Sequence, residues 1–259
     1  MANSGRPWYE DYYKSCDQCS VASIPNIVYL PNGSTVRGTS HHRIFHIGNV
    51  RSGKDIKLYG IVDGFTDGQS VADFVADHLV NEILPLGHES HIMNEAPTDS
   101  DIKTLLRQTF KRVDNLYFSD CIGETLARRC AQQMGSFDQT NMDAMNAQIS
   151  GFATALIALI YNNKLFIANL GDSRALLIKR VNSEWKVVKI CDWHHPSDPD
   201  EACRLADLEI DSDDVEPPTR CFGDFFRKWG YKEVPSLCKA LGEPITADAS
   251  IHGPYSASF

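Results

Sequence analysis

No apolar run in this chain is long enough to cross a bilayer. The longest, FATALIALIY at 152–161, has ten residues, against the roughly 20 that a membrane helix needs. Positive charge is also scarce: 25 Lys and Arg face 34 Asp and Glu, for a net charge of −9. Nucleic acids and anionic lipid surfaces call for clustered Lys and Arg, so neither is an expected partner. The opening MANSGRPWYEDYYK has no apolar stretch behind a basic end, so no secretory leader is expected. Six of the eight cysteines are scattered singly, as in a reducing compartment, and the expected location is cytoplasmic. Internal repeats and low-complexity tracts are absent. A last shortage is local: no Asp or Glu stands between Asp17 and Asp55.

What is present reads as alternating β and α patterns. Residues 1–25 are polar and aromatic without period, an irregular arm. NIVYL (26–30), RIFHIGNV (43–50) and KLYGIVDG (57–64) read as strands, the last a compact apolar run ending in Asp-Gly. Over 69–84, Val71, Phe74, Val75, Leu79 and Ile83 fall on one helical face; over 101–118, Ile102, Leu105, Leu106, Thr109, Val113 and Leu116 do the same. Asp99 or Ser100 is placed to cap the second helix. The stretch 120–148 reads as a helix, a loop and a short helix.

Residues 153–180 carry the clearest β pattern, with Asn162-Asn163 suited to a tight hairpin turn because Asn tolerates positive φ. GDSR at 171–174 makes the next turn and WKVVKIC at 185–191 another strand, joining its neighbours in one sheet. Asp198, Pro199 and Glu201 have the spacing of a capped helix start, with Glu201 as the reciprocal partner of a capping box. Strands in series behind a helix pair predict an α+β sandwich whose sheet is covered by the helices 69–84 and 101–118.

Four segments, IVDGFTDGQSVADFVADHL, SGFATALIALIYNNKLFIANLGDSRALL, HHPSDPDEACRL and LCKALGEPITADASI, occur in the order found in the metal-dependent Ser/Thr phosphatases of the PP2C (PPM) type. The chain resembles that family from about residue 57 to 251. The resemblance implies two stacked antiparallel sheets flanked by helix pairs, with two metal ions between the sheet edges. It also implies a domain over 26–259 that stops short of the family's final strands and helices. Within the family the likeness narrows, through TRCFGDF with KWGY (219–231) and PITADASIHG, to the pseudophosphatase adaptor that binds the TGF-β-activated MAP kinase kinase kinase.

Two-metal phosphate hydrolysis needs several hard oxygen ligands, a cation for the phosphate and a proton donor for the leaving oxygen. Active members supply the first acids from an Arg-x-x-Met-Glu-Asp segment, which on this reading corresponds to the acid-free VASIPNIVYL. Asp63 and Gly64 match the family's ligating Asp-Gly. The following residue is a His acting as general acid in active members, and here it is Phe65. Where the family reads Asp-His-Lys-Pro, this chain has Trp193-His194-His195-Pro196, so an accessory metal ligand is replaced by Trp193; Asp192 sits one residue early. Asp63 and Gly64 are thus remnant positions that shape a turn, no metal or other cofactor is expected, and no catalytic residue is assigned.

Two other metal readings fare no better. A lone Cys16-x-x-Cys19 pair is a weak zinc signal even with His41 and His42 to complete a site, and His194 and His195 would point to opposite sides of an extended segment. GDSR takes a structural role, and no nucleophile arrangement surrounds Ser256.

The resemblance implies a catalytically inactive adaptor that assembles with, and promotes activation of, a MAP kinase kinase kinase of the TGF-β-activated type in TGF-β or Wnt-type signalling, with inhibitor-of-apoptosis proteins as further contacts. The alternative is a phosphatase working through a reduced metal site at Asp63. A third expectation is an open sheet edge left by missing strands.

Overall fold

The computed structural model describes residues 19–21, 27–31, 33–37, 41–47, 56–65, 69–84, 97–135 and 138–256. Its centre is an antiparallel sheet in which β10 (Ser250–Ser256), β6 (Lys164–Leu170), β5 (Phe152–Tyr161), β4 (Ile56–Phe65) and β3 (His42–Ile47) lie side by side, and β9 (Phe222–Gly223) pairs with the start of β5. Side chains alternate across a pleated strand. In β4, Ile56, Leu58 and Val62 are buried on one face while Tyr59, Ile61 and Asp63 take the other. Gly60 has no side chain because Phe45, its cross-strand partner, lies there: a Cβ would sit 2.2 Å from the Phe45 ring.

Helices α1 (Gln69–Ile83) and α2 (Asp99–Leu116) cover the Ile56–Leu58–Val62 face. Their apolar stripes, Val71, Val75, Leu79 and Ile83 with Ile102, Leu106, Phe110 and Val113, join Ala155, Ile157, Leu159 and Phe166 of the sheet in one core. Each of the Val, Leu, Ile and Phe side chains contributes about 1.5–3 kcal/mol on burial. Phe74 lies at its margin, stacked on His78.

Thr98, rather than Asp99 or Ser100, caps α2. Its hydroxyl accepts from the Asp101 amide at 3.2 Å while the Asp101 carboxylate accepts from the Thr98 amide at 2.8 Å, a reciprocal arrangement a single cap cannot match. A π-helical turn, Tyr117–Cys121, links α2 to α3 (Gly123–Met134), and α4 (Gln139–Ile149) follows as expected.

Asn162 and Asn163 have φ of 49° and 59° and close the β5–β6 hairpin. Asn182-Ser183, with φ of 50° and 68°, closes a second one between the strands expected on either side of it, β7 (Leu176–Val181) and β8 (Glu184–Lys189). This hairpin does not join the large sheet, contrary to expectation; after the turn at Gly171–Arg174 it forms its own two-stranded ladder. Its root, through Leu177, Ile190 and Cys191, packs on Leu165, Ile167 and Leu156 of the face that the helices leave open. A further ladder joins β1 (Ile27–Tyr29) to β2 (Thr35–Arg37).

Helix α5 (Pro199–Ala206) starts at an Asp198 cap with Pro199 in the first turn, but Glu201 does not close a capping box. Its carboxylate is drawn instead to Arg204, Thr219 and Arg220. Two guanidinium groups outcompete one backbone amide for it. Beside α5, Leu205, Ile210, Val215, Cys221, Leu237 and Ile245 form a second, smaller core. Most of the 1–25 arm, and Cys16 of the CxxC pair, lie outside the described residues. No described helix is long and apolar enough to cross a membrane.

Candidate functional site

Asp63 sits near the end of β4 with His42 of β3 and Thr154 of β5 as its cross-strand neighbours. All three share the sheet face away from α1 and α2, because paired residues of an antiparallel ladder point the same way. The strand that flanks Asp63 is therefore β3, not the 21–30 segment. In the sequence Arg37 stands five residues before His42, the Arg-to-Asp spacing of Arg-x-x-Met-Glu-Asp, and at that spacing His41 and His42 would occupy the two acid positions.

The Asp63 carboxylate pairs with Nδ1 of His42, and both side chains are about 29% exposed. Burial pushes its carboxyl above the ordinary value. His42 and His41 pull it down, Asp172 pushes it further up, and the net shift is upward. A single carboxylate that spends an oxygen on imidazole is a poor ligand for Mg²⁺ or Mn²⁺, which want several anionic oxygens. Among the described residues, no three His, Cys, Asp or Glu side chains converge on a point that could hold a metal ion. The donor set does not fit the two-metal centre of the fold family.

Phe65 ends β4 opposite Phe152, and their rings stack 5.0 Å apart within 10° of parallel. The Arg227 guanidinium lies 5.1 Å from the Phe152 ring. Neither ring carries a dissociable proton. Trp193 stacks on His195 at 4.2 Å, with the Arg174 guanidinium 5.5 Å from its ring. Asp192 meets Nε2 of His252 at 3.1 Å.

The two histidines beside Trp193 go to different partners. His195 accepts from the Ser197 amide, whereas His194 is buried between the Gly171 amide and Ser250. The Gly171 N–H donates to His194 Nδ1 at 2.9 Å, which leaves the ring proton on Nε2, 3.0 Å from the Ser250 oxygen. That nitrogen donates to the hydroxyl and cannot take its proton, so this Ser–His pair is no nucleophile and base. Burial, aided by the Arg220 charge, lowers the His194 pKa to about 4 and keeps the ring neutral.

A cleft of about 360 Å³ beside Ser250 is lined by Arg107, Arg204, Arg220, Asp192 and His252. Two of its arginines are already spent on Glu201, which is 2% exposed. Burial would raise the Glu201 carboxyl. Hydrogen bonds from Arg220 and Thr219 and the charges of Arg220 and Arg204 outweigh that and hold it at about 2. The site reading missed this cluster because its members are distant in sequence. The TRCFGDF and KWGY segments serve the same internal purpose. Lys228, 2.7 Å from both the Asp114 carboxylate and the Cys221 carbonyl, is buried, and Trp229 stacks on Phe118 at 4.3 Å.

Comparison with known proteins places this geometry. The family model for protein phosphatase 2C matches residues 36–254. "TGF-beta-activated kinase 1 and MAP3K7-binding protein 1" of Caenorhabditis elegans is 29% identical over 201 residues, covering 76% of this chain and 49% of that protein. "Protein phosphatase 2C 1" of Paramecium tetraurelia is 29% identical over 152 residues, covering 59% of this chain and 42% of that protein. The chain spans about half the length of these curated relatives. The crystal structure of serine-threonine phosphatase 2C from Toxoplasma gondii shares the fold, with a TM-score of 0.52 at 15% identity, covering 83% of this chain and 69% of that one.

Proposed function

This chain belongs to the protein phosphatase 2C family, and we propose that it is a catalytically inactive member that acts by binding partners, as an adaptor of a MAP kinase kinase kinase. One observation carries the reading: Asp63, the aspartate of the family's Asp-Gly, faces His42 across the strand pair where the family pattern calls for another carboxylate. The next position, which would protonate the leaving oxygen, is a phenyl ring stacked on Phe152. Removing the hard oxygen ligands and the proton donor together takes away both the nucleophile-generating ions and the leaving-group acid. The described core beside the altered site is well packed, as suits a binding scaffold.

The kinase partner is proposed from the likeness to the Caenorhabditis elegans protein, whose name states that it binds MAP3K7. Domain limits of 26–259, promotion of kinase activation, and a place in TGF-β or Wnt-type signalling in the cytoplasm belong to the same proposal. A second reading is favoured by Asp172, whose charge is felt at Asp63, and by the phosphatase relatives: a phosphatase with a reduced metal site. Hydrolysis of a phosphothreonine peptide with Mn²⁺ separates them. The adaptor reading expects wild type to match Asp63→Ala at background; turnover that Asp63→Ala abolishes would establish the enzyme. Capture of a MAP kinase kinase kinase of the TGF-β-activated type by the immobilised chain tests the partner.

A further inference from the structure

The β7–β8 hairpin exposes apolar surface that the fold does not use. Its register pairs Leu176 with Lys189, Ile178 with Val187, and Arg180 with Trp185. Cross-strand partners share a face, so these six side chains form one surface. Leu177 and Val188 lie on the opposite face, where Leu177 packs against the large sheet. On the outer face Trp185 is 71% exposed, Ile178 62%, Val187 61% and Leu176 60%. Among the described residues, the other large apolar side chains at least half exposed, Met134, Trp229 and Leu241, lie in separate segments. A contiguous apolar patch on a surface marks an interaction site more often than scattered single residues do.

Charge says what the patch fits. The hairpin carries Lys179, Arg180, Lys186 and Lys189 against the single acid Glu184, in a chain whose net charge is −9. Arg180 and Lys189 stand at opposite corners of the apolar surface, and the Arg180 guanidinium lies 5.9 Å from the Trp185 ring centre. That contact pre-positions an indole, the side chain most enriched among residues that dominate binding energy. β7 and β8 pair with each other and with no further described strand, so each also has an edge that an extended chain can join.

We propose that this face docks an acidic extended segment of a partner protein, with an apolar or aromatic residue flanked by carboxylates. The two cationic rungs are four residues apart along β7, about 13 Å at ~3.3 Å per residue. In an extended partner, residues i, i+2 and i+4 lie on one face, so the pattern is acid, any residue, apolar, any residue, acid. The central residue meets Ile178 and Val187 while the carboxylates reach Arg180 and Lys189. A basic partner is repelled at both corners. The surface lies away from Asp63 in the chain and does not depend on whether that site is inactive.

The test measures fluorescence anisotropy of a labelled peptide with the core Glu-Ser-Trp-Ser-Glu, and of its Lys-Ser-Trp-Ser-Lys counterpart, against the whole chain. The acidic peptide is expected to bind at least tenfold more tightly than the basic one. Its affinity should fall at least tenfold with Ile178→Ser/Val187→Ser. The pair Arg180→Glu/Lys189→Glu should reverse the preference between the two peptides. Circular dichroism melts matching wild type show that the variants are folded. Equal affinity of the two peptides for wild type, no saturable binding, or an unchanged preference in the charge-reversed variant overturns the proposal. So does self-association in sedimentation velocity that Ile178→Ser/Val187→Ser abolishes, since the face then serves a second copy.

Discussion

Replacing Glu201 by alanine strips the acceptor from three donors at once. The Thr219 hydroxyl at 2.6 Å loses its partner, Arg204 loses contacts at 3.1 and 3.2 Å, and Arg220 loses the bonds that its Nε and Nη2 both make to Oε1. Two arginines, only 25% and 20% exposed, are then left without their carboxylate partner. Breaking a buried ion pair by removing one partner costs about 3–5 kcal/mol. Proton linkage gives an independent figure. A carboxyl held at about 2, against its ordinary 4.5, contributes about 3 kcal/mol at neutral pH. For a domain of this size, ~4 kcal/mol corresponds to a fall in Tm of roughly 8–16 °C.

The sign with pH follows from the depressed value. The contribution is complete above about 4.5 and is lost as pH falls toward 2, because the unfolded carboxyl takes up a proton that the folded one refuses. The difference between wild type and Glu201→Ala in urea unfolding should therefore be largest at neutral pH and shrink by about half between pH 5 and pH 3. His194 adds an acid loss between 6.5 and about 4 in the wild type, and the loss of the Glu201 charge deepens it in the variant, because that charge favours the protonated ring. A neutral-pH difference below about 1 kcal/mol, or one that stays constant down to pH 3, refutes the assignment of Glu201 as the anchor of this cluster.

Gly171→Ala should cost more than 2 kcal/mol in urea unfolding, roughly the sum of positive-φ strain and a clash. Gly171 has φ of 121° and an added Cβ would lie 2.4 Å from Thr154; a wild-type midpoint would refute this. Lys228→Met leaves Asp114 buried with only the Gly223 amide for a partner and should lower stability by about 3–5 kcal/mol at pH 7. Because burial already raises the Asp114 carboxyl, this variant should recover part of its loss as pH falls and the carboxyl is protonated. Asp63→Asn should leave Tm at pH 7 unchanged or higher, since the folded site raises that carboxyl and so disfavours its charge; a clear fall would show that the His42 pair outweighs burial.

The local rules were readable where one residue type had one reason to be present. Asn162-Asn163 predicted a hairpin because two consecutive positive φ angles suit few other residues, and the stripe of Val71, Val75, Leu79 and Ile83 predicted a helix covering the sheet. Reading failed where two partners competed for one side chain. Glu201 had the spacing of a capping box, but Arg220, nineteen positions later in the chain, claims it. Thr98 took the cap from Asp99 and Ser100 because Asp101 returns a bond to the Thr98 amide. Strand register failed for the same kind of reason: β3 and the 21–30 segment are both apolar, and nothing within either says which lies against Asp63.

The sequence by itself determined the α+β pattern, the family and the residue types near Asp63, because period, turn residues and the phenyl side chain of Phe65 are local facts. Only the tertiary structure decided that His42 faces Asp63, that His194 keeps its proton on the nitrogen facing Ser250, and that the β7–β8 hairpin leaves the sheet with its apolar face outward. Those outcomes depend on which distant groups come within hydrogen-bonding or packing distance, and such proximity is created by folding.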